Sequence, residues 1–159
     1  MANIAGRDIT TADLAIMGTG ALMVIASFLP WFGPQDDRIR ARAEQLGVDV
    51  SLNAWSSTFL AWGAVVLAVV VAGLVAGRLF AGFAMPTTGK TGPHLLLLML
   101  SGLGAALIVL RLLVGAVNGK AEIGLYLALV LAIVQAGFAF LSFRSSGEQL
   151  PSSRRPGSA

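Results

Sequence analysis

The sequence predicts an all-α integral membrane protein, a bundle of four transmembrane helices with one larger loop between the first and second. Three observations carry this. The chain has 159 residues, of which 56% are hydrophobic and only 12% charged. Soluble domains are nearer 45–50% apolar and about 25% charged. A soluble domain this short would leave much of that apolar surface in water, whereas lipid accepts it. Finally, four apolar runs each reach the roughly 20 residues that a helix needs to cross a hydrocarbon core about 30 Å thick.

The first run covers residues 14–32. Thr10 and Asp13 precede it at capping-box spacing. It is longer than a signal-peptide core and ends in Phe28-Leu29-Pro30-Trp31 rather than a small-residue cleavage site, so it reads as a retained helix. The second covers 58–77, with an amphipathic extension toward Phe83. The third covers 95–117 and is interrupted by Arg111. The fourth covers 123–143, with Gln135 as its one strongly polar interior residue.

The connections differ in character. Residues 33–57 form the longest. Pro34 near the start, Ile39, Ala43 and Leu46 on one face and Gly47 as a stop predict a short helix in its first half. Val48, Val50 and Leu52 alternate, as in an extended segment. Pro86 to Pro93 is a turn cluster, and the third loop centres on Asn118-Gly119-Lys120. Residues 1–12 form an N-terminal segment. The Ser/Pro/Gly/Arg-rich tail at 144–159 has nothing to bury and is expected to be disordered.

Four crossings place both termini on one side, with Arg7, Arg78, Lys90, Arg144, Arg154 and Arg155. The other side has Arg38, Arg40, Arg42, Arg111 and Lys120. Six bases against five, together with a charge-balanced long loop, favour cytoplasmic termini in a cell membrane. The net charge of +3 is scattered between apolar blocks, which argues against a nucleic-acid partner.

Small residues recur every fourth position: Ala64, Ala68, Ala72 and Ala76 in the second helix, and Gly124, Ala128, Ala132 and Ala136 in the fourth, with Gly73 and Gly77 as a GxxxG pair. Such stripes let backbones approach closely. They serve packing within the bundle or, in a sharper reading, contact with another subunit. Trp31, Trp55, Trp62 and Tyr126 all fall toward the long-loop side. Indole and phenol rings favour the headgroup level, so the simplest reading is an aromatic belt. An aromatic-lined pocket is the alternative.

Arg111 lies in the same zone, about six residues or roughly 9 Å from the end of its helix. It either anchors the helix by snorkelling or joins a polar site with Asn53, Asn118 and Glu122. In the second case Trp62 is the expected stacking partner and Glu122 the expected counter-charge. Gln135 is expected to hydrogen-bond a neighbouring helix.

Several chemistries are excluded as readings. The chain has no cysteine, hence no disulfide, thiolate metal site or cysteine nucleophile. Gly89-Lys90-Thr91 resembles the end of a phosphate loop, but Ala84 stands where a glycine is required. His94 is the single histidine, beside Pro93, and makes no metal set. No nucleophile–base pair or carboxylate dyad can be assembled. An enzyme and a cofactor are therefore not expected.

The stretch Ala26-Ser27-Phe28-Leu29-Pro30-Trp31-Phe32, followed by Asn53-Ala54-Trp55, resembles an uncharacterised group of small four-helix membrane proteins from actinobacteria. Arg111-Leu112-Leu113 and Gly124-Leu125-Tyr126 share the likeness, which covers most of residues 14–143. The charged first half of the long loop departs from the short β-like loop of that group. The resemblance implies the four-helix topology and no particular activity.

Two functional expectations follow. One is a structural or accessory membrane protein, a subunit or interaction partner in a cell-envelope assembly, whose partners are lipids and other membrane subunits or further copies of itself. The other is a lipid- or hydrophobic-molecule-binding or transport protein with a site near the outer leaflet. Proton-coupled transport calls for an intramembrane acid, and Asp13 reads as a helix cap.

Overall fold

The computed structural model describes residues 2–4, 7–85 and 92–148, so most of the turn expected at 86–93, and the tail beyond 148, lie outside the described residues. A short antiparallel hairpin, β1 (Ala2–Ile4) with β2 (Arg7–Ile9), precedes the first long helix. Nothing in the pattern of residues 1–12 predicted this hairpin.

Helix α1 spans Thr11–Phe28. The Thr10 hydroxyl accepts a hydrogen bond from the Asp13 backbone N–H, and the Asp13 carboxylate accepts one from the Thr10 N–H, so the predicted capping box is formed. The helix ends four residues earlier than its apolar run. Leu29 precedes Pro30 and is extended, as residues before proline are. Phe32 and Gly33 then form the strand β3 (Phe32–Gly33).

Helix α2 (Asp37–Gln45) occupies the first half of the loop, capped by Asp36. Its expected apolar face is buried only at Ala43: Ile39 and Leu46 remain 54% and 72% exposed. Gly47 follows with φ of 66°, a conformation open to glycine, and stops the helix. Val48, Val50 and Leu52 are exposed too, and only Leu52 forms a bridge, with Phe32.

The remaining spans are α3 (Phe59–Phe80), α4 (Pro93–Asn118, with Pro93 in its first turn) and α5 (Ile123–Ser146). All four long helices are long and apolar enough to cross a bilayer. Each packs against two neighbours, α1 and α4 both contacting α3 and α5, so the helices form a closed four-sided bundle. Outward-facing apolar side chains such as Ile25, Leu113 and Val130 are then lipid-facing.

Two apolar clusters fill the interior. Toward the α1–α2 loop lie Met23, Trp31, Val65, Ile108 and Leu125; toward the termini lie Ile9, Ile16, Val71, Val75 and Leu97. Gln135 is buried and donates through Nε2 to Ala68 O at 3.0 Å and to Ile16 O at 3.4 Å. It bonds two other helices at once, where one neighbour was expected.

Much of the small-residue pattern is internal. Ala64, Ala68, Gly124, Ala128 and Ala132 are buried, and Ala72, Ala76 and Ala136 half-buried. A Cβ on Gly20 of α1 would sit 2.3 Å from the Ala72 Cβ and 3.2 Å from Ala68 O, so these backbones meet at van der Waals limits. Gly73, in contrast, has open space around it.

Candidate functional site

Polar and aromatic groups gather at the two ends of the bundle. At the loop end, Leu52 and Phe32 exchange backbone hydrogen bonds, and Phe32–Gly33 pairs with β4 (Lys120–Ala121). The Glu122 N–H donates to Trp31 O and the Gly124 N–H to Pro30 O, both at 2.9 Å. This small sheet ties the loop to the α4–α5 turn.

Trp31 is fully buried, and its Nε1–H donates to Ala26 O at 2.9 Å. It is a core residue and not a member of a belt. The reason is the extended Leu29-Pro30 step, which turns the chain back over the bundle end, where Gly124 leaves room for the indole. Trp55 is held beside it: its Nε1–H donates to Ser27 Oγ at 2.9 Å, and its ring is half out, 6.2 Å from Phe28. Asn53 is spent locally, its Oδ1 accepting from the Trp55 and Ser56 N–H groups in a side-chain-closed turn. Trp62 meets Phe59 edge-on at 4.8 Å on the lipid-facing side of α3. With Gly63, Val66, Leu67 and Leu103 these two rings line an apolar cleft of about 290 Å³ between α3 and α4. Tyr126 is exposed on α5. Trp55, Trp62 and Tyr126 fit the belt reading.

Arg111 is only 9% exposed. Its guanidinium lies 4.0 Å above the Phe32 ring and donates from Nε (3.2 Å) and Nη2 (2.8 Å) to Ser57 Oγ. Both expected partners are corrected. Trp62 faces lipid and takes no part, and Phe32 is the ring, accommodated because Gly115 one turn below lacks a side chain: a Cβ there would lie 2.2 Å from the Phe32 ring. Glu122 pairs instead with Arg40 of α2. Among the described residues no carboxylate stands within 4.0 Å of Arg111. The side chain of Asn118 lies outside the described residues. Arg111 lines a cavity of about 230 Å³ with Phe32, Pro34, Val50, Leu52 and Gly119. A wider cleft of about 430 Å³, edged by Arg40, Glu44, Asp49 and Glu122, lies against α2.

The opposite end holds a constellation that the sequence reading did not assemble. Asp13 of α1 is buried and accepts from Arg78 Nη2 of α3 at 3.1 Å. Arg78 Nη1 donates to His94 Nε2 at 3.3 Å, and His94 Nδ1–H donates to Glu148 Oε1 at 2.8 Å. An imidazole with its proton on Nδ1 satisfies both contacts. Glu148 also accepts from the His94 and Leu95 backbone N–H groups, capping the free donors at the start of α4. One polar chain therefore joins α1, α3 and α4 to the segment that directly follows α5. The first residues of the tail that was expected to be disordered are ordered: α5 runs to Ser146, Gly147 turns at φ of 70°, and Glu148 is fixed in place. Four crossings put Asp13, Arg78, His94 and Glu148 at one membrane level, but that level alone does not pair them.

Partial burial disfavours the Glu148 carboxylate, but hydrogen bonds from His94 and the Leu95 and His94 N–H groups outweigh it and hold its pKa below the ordinary value. A carboxylate depressed in the folded state stabilises above the unfolded pKa, about 4.3, and that contribution fades as pH falls through the lower folded value. Thermal unfolding in detergent from pH 7 to pH 3 is expected to show this acid-side loss, and Glu148→Gln to flatten it.

Among the described residues no group of three or more His, Asp or Glu side chains is arranged to hold a metal ion. The fold and its two polar ends define a small multi-pass membrane protein. No family model, curated protein or solved structure matches the chain.

Proposed function

We propose that the protein is a structural or accessory subunit of a cell-envelope assembly, with cytoplasmic termini and the α1–α2 loop outside. The observation that supports this is the loop itself. Ile39, Leu46 and Val48 stay largely exposed beside Arg38, Arg42 and Glu44, outside the membrane spans and uncovered by the chain's own core. Apolar groups rimmed by charge on an extramembrane surface favour contact with a partner or a second copy. The polar groups that hold the bundle support the same reading, being committed to joining its helices. This role includes no catalysis.

Purification from native membranes in mild detergent tests the reading. A partner or homo-oligomer that is lost in an Ile39→Glu/Leu46→Glu variant is expected. A wild-type chain that stays a lone monomer after crosslinking in the membrane contradicts it.

A second reading, binding of a lipid or hydrophobic small molecule at the loop end, is favoured by the apolar cleft at Phe59 and Trp62 and by the placement of Arg111. Lipid retained through purification and identified by mass spectrometry supports it.

A further inference from the structure

We infer that the Arg111 cavity is a binding site for a phosphate-bearing anion, supplied by a lipid headgroup or by free phosphate. The inference rests on the second reading above and names the group bound. A guanidinium this buried is costly without a compensating charge. The other cations drawn into inter-element ion pairs have carboxylates: Arg40 has Glu122 and Arg78 has Asp13. Arg111 has the neutral Ser57 hydroxyl and the face of Phe32.

That arrangement fixes the guanidinium plane. Ser57 takes the Nε and Nη2 edge, Phe32 covers one face, and Nη1 has no hydrogen-bond partner among the described residues. Nη1 lies beside the bare backbone of Gly115, itself a wall of the cavity. The cavity volume of about 230 Å³ is several times the ~30 Å³ share of one water, enough for a phosphate group. Among the described residues its other walls are apolar or glycine, and no acidic side chain lines it. An anion entering meets a single fixed, preoriented cation and no repulsion from the lining, which is the condition under which arginine favours phosphate.

The site also sits at headgroup depth. Arg111 is seven residues from the last residue of α4, about 10 Å along the axis. Phe28, Trp55 and Phe59 lie exposed around the same end of the bundle. A phospholipid can place its phosphate in the cavity while its chains lie along the outer faces of the helices.

The test uses the full-length protein, delipidated in detergent and titrated with phosphatidylglycerol, with phosphatidylcholine and with inorganic phosphate, read by native mass spectrometry. Losing a charged hydrogen bond to phosphate is expected to weaken binding roughly tenfold or more. Arg111→Gln is the direct variant. Val50→Glu, on the exposed wall of the cavity, keeps Arg111 but supplies an internal carboxylate, and decides the matter if Arg111→Gln does not fold. Phosphatidylglycerol bound by wild type, lost in either variant and not displaced by inorganic phosphate assigns the site to lipid. Inorganic phosphate bound with the same dependence on Arg111 assigns it to free anion. Equal lipid retention in wild type and both folded variants overturns the Arg111 site while leaving lipid binding standing. A wild type that retains neither lipid nor phosphate overturns both.

Discussion

Trp31→Ala is expected to destabilise the bundle by about 3 kcal/mol, at the low end of the range for truncating a buried large aromatic. The indole is fully buried in the core cluster that also holds Met23, Ala26, Ala54, Leu125 and Ala128. Truncation opens a void that the surrounding backbone is poorly placed to fill. The Trp31 N–H is held by Leu52 O at 2.8 Å and its carbonyl by the Glu122 N–H at 2.9 Å, so the chain on either side is pinned. Part of the cost of such a truncation in water is lost hydrophobic transfer, which is weaker beside lipid; the lost packing contacts remain. Trp31→Phe keeps most of the ring and loses the bond to Ala26 O, at a cost of about 1 kcal/mol. Unfolding by added SDS in mixed micelles, followed by circular dichroism, reads both. An alanine variant as stable as wild type would place the indole outside the core.

The second large effect is steric. Gly20→Ala forces a methyl group to within 2.3 Å of the Ala72 Cβ, so α1 and α3 must separate, at an expected cost of about 1–3 kcal/mol. The double variant Gly20→Ala/Ala72→Gly moves the methyl group from one helix to the other and is expected to recover most of that loss. The recovery is partial because Ala68 O, which also accepts from Gln135, stays 3.2 Å from the new Cβ. Gly73→Ala, on the same helix as Ala72, meets nothing within 4 Å and is expected to be neutral or slightly stabilising through helix propensity. Equal destabilisation by Gly20→Ala and by the swap would show that the Ala72 methyl is not the group the new side chain meets.

The fold was legible because lipid imposes a simple rule: each crossing is a long apolar helix with its ends marked. Thr10 and Asp13 marked a helix start, and Gly47 a stop, that the structure has. Where α1 ends was misread because hydropathy runs on through Trp31 and Phe32, while Pro30 decides the backbone. The loop end was legible in composition but not in partnership. A tryptophan closing an apolar run suits a headgroup belt and a core equally well, and only the rotation of the chain after Pro30 selects the core. Trp62 was the ring expected at Arg111, while Phe32 stood at the very end of the first apolar run. The choice depended on Gly115, four residues beyond Arg111, whose missing side chain admits Phe32.

The polar chain at the other end was hidden for a different reason. Asp13 and Arg78 are 65 residues apart and His94 and Glu148 are 54 apart, so no local spacing reveals them. Taken singly, Asp13 is a helix cap, His94 a lone histidine and Glu148 a charge in a polar tail. Only the topology brings them to one level, and only the geometry shows that they bond in sequence.

That topology is open to one direct measurement, helped by a chain without cysteine. Single cysteines at Ala41 in α2 and at Ser146 at the end of α5, both exposed positions, are labelled in intact cells with a membrane-impermeant maleimide, then again after permeabilisation. Four crossings with cytoplasmic termini predict that Ala41→Cys reacts in intact cells and Ser146→Cys only once the membrane is opened. Reaction of both positions from the same side would contradict the four-span bundle.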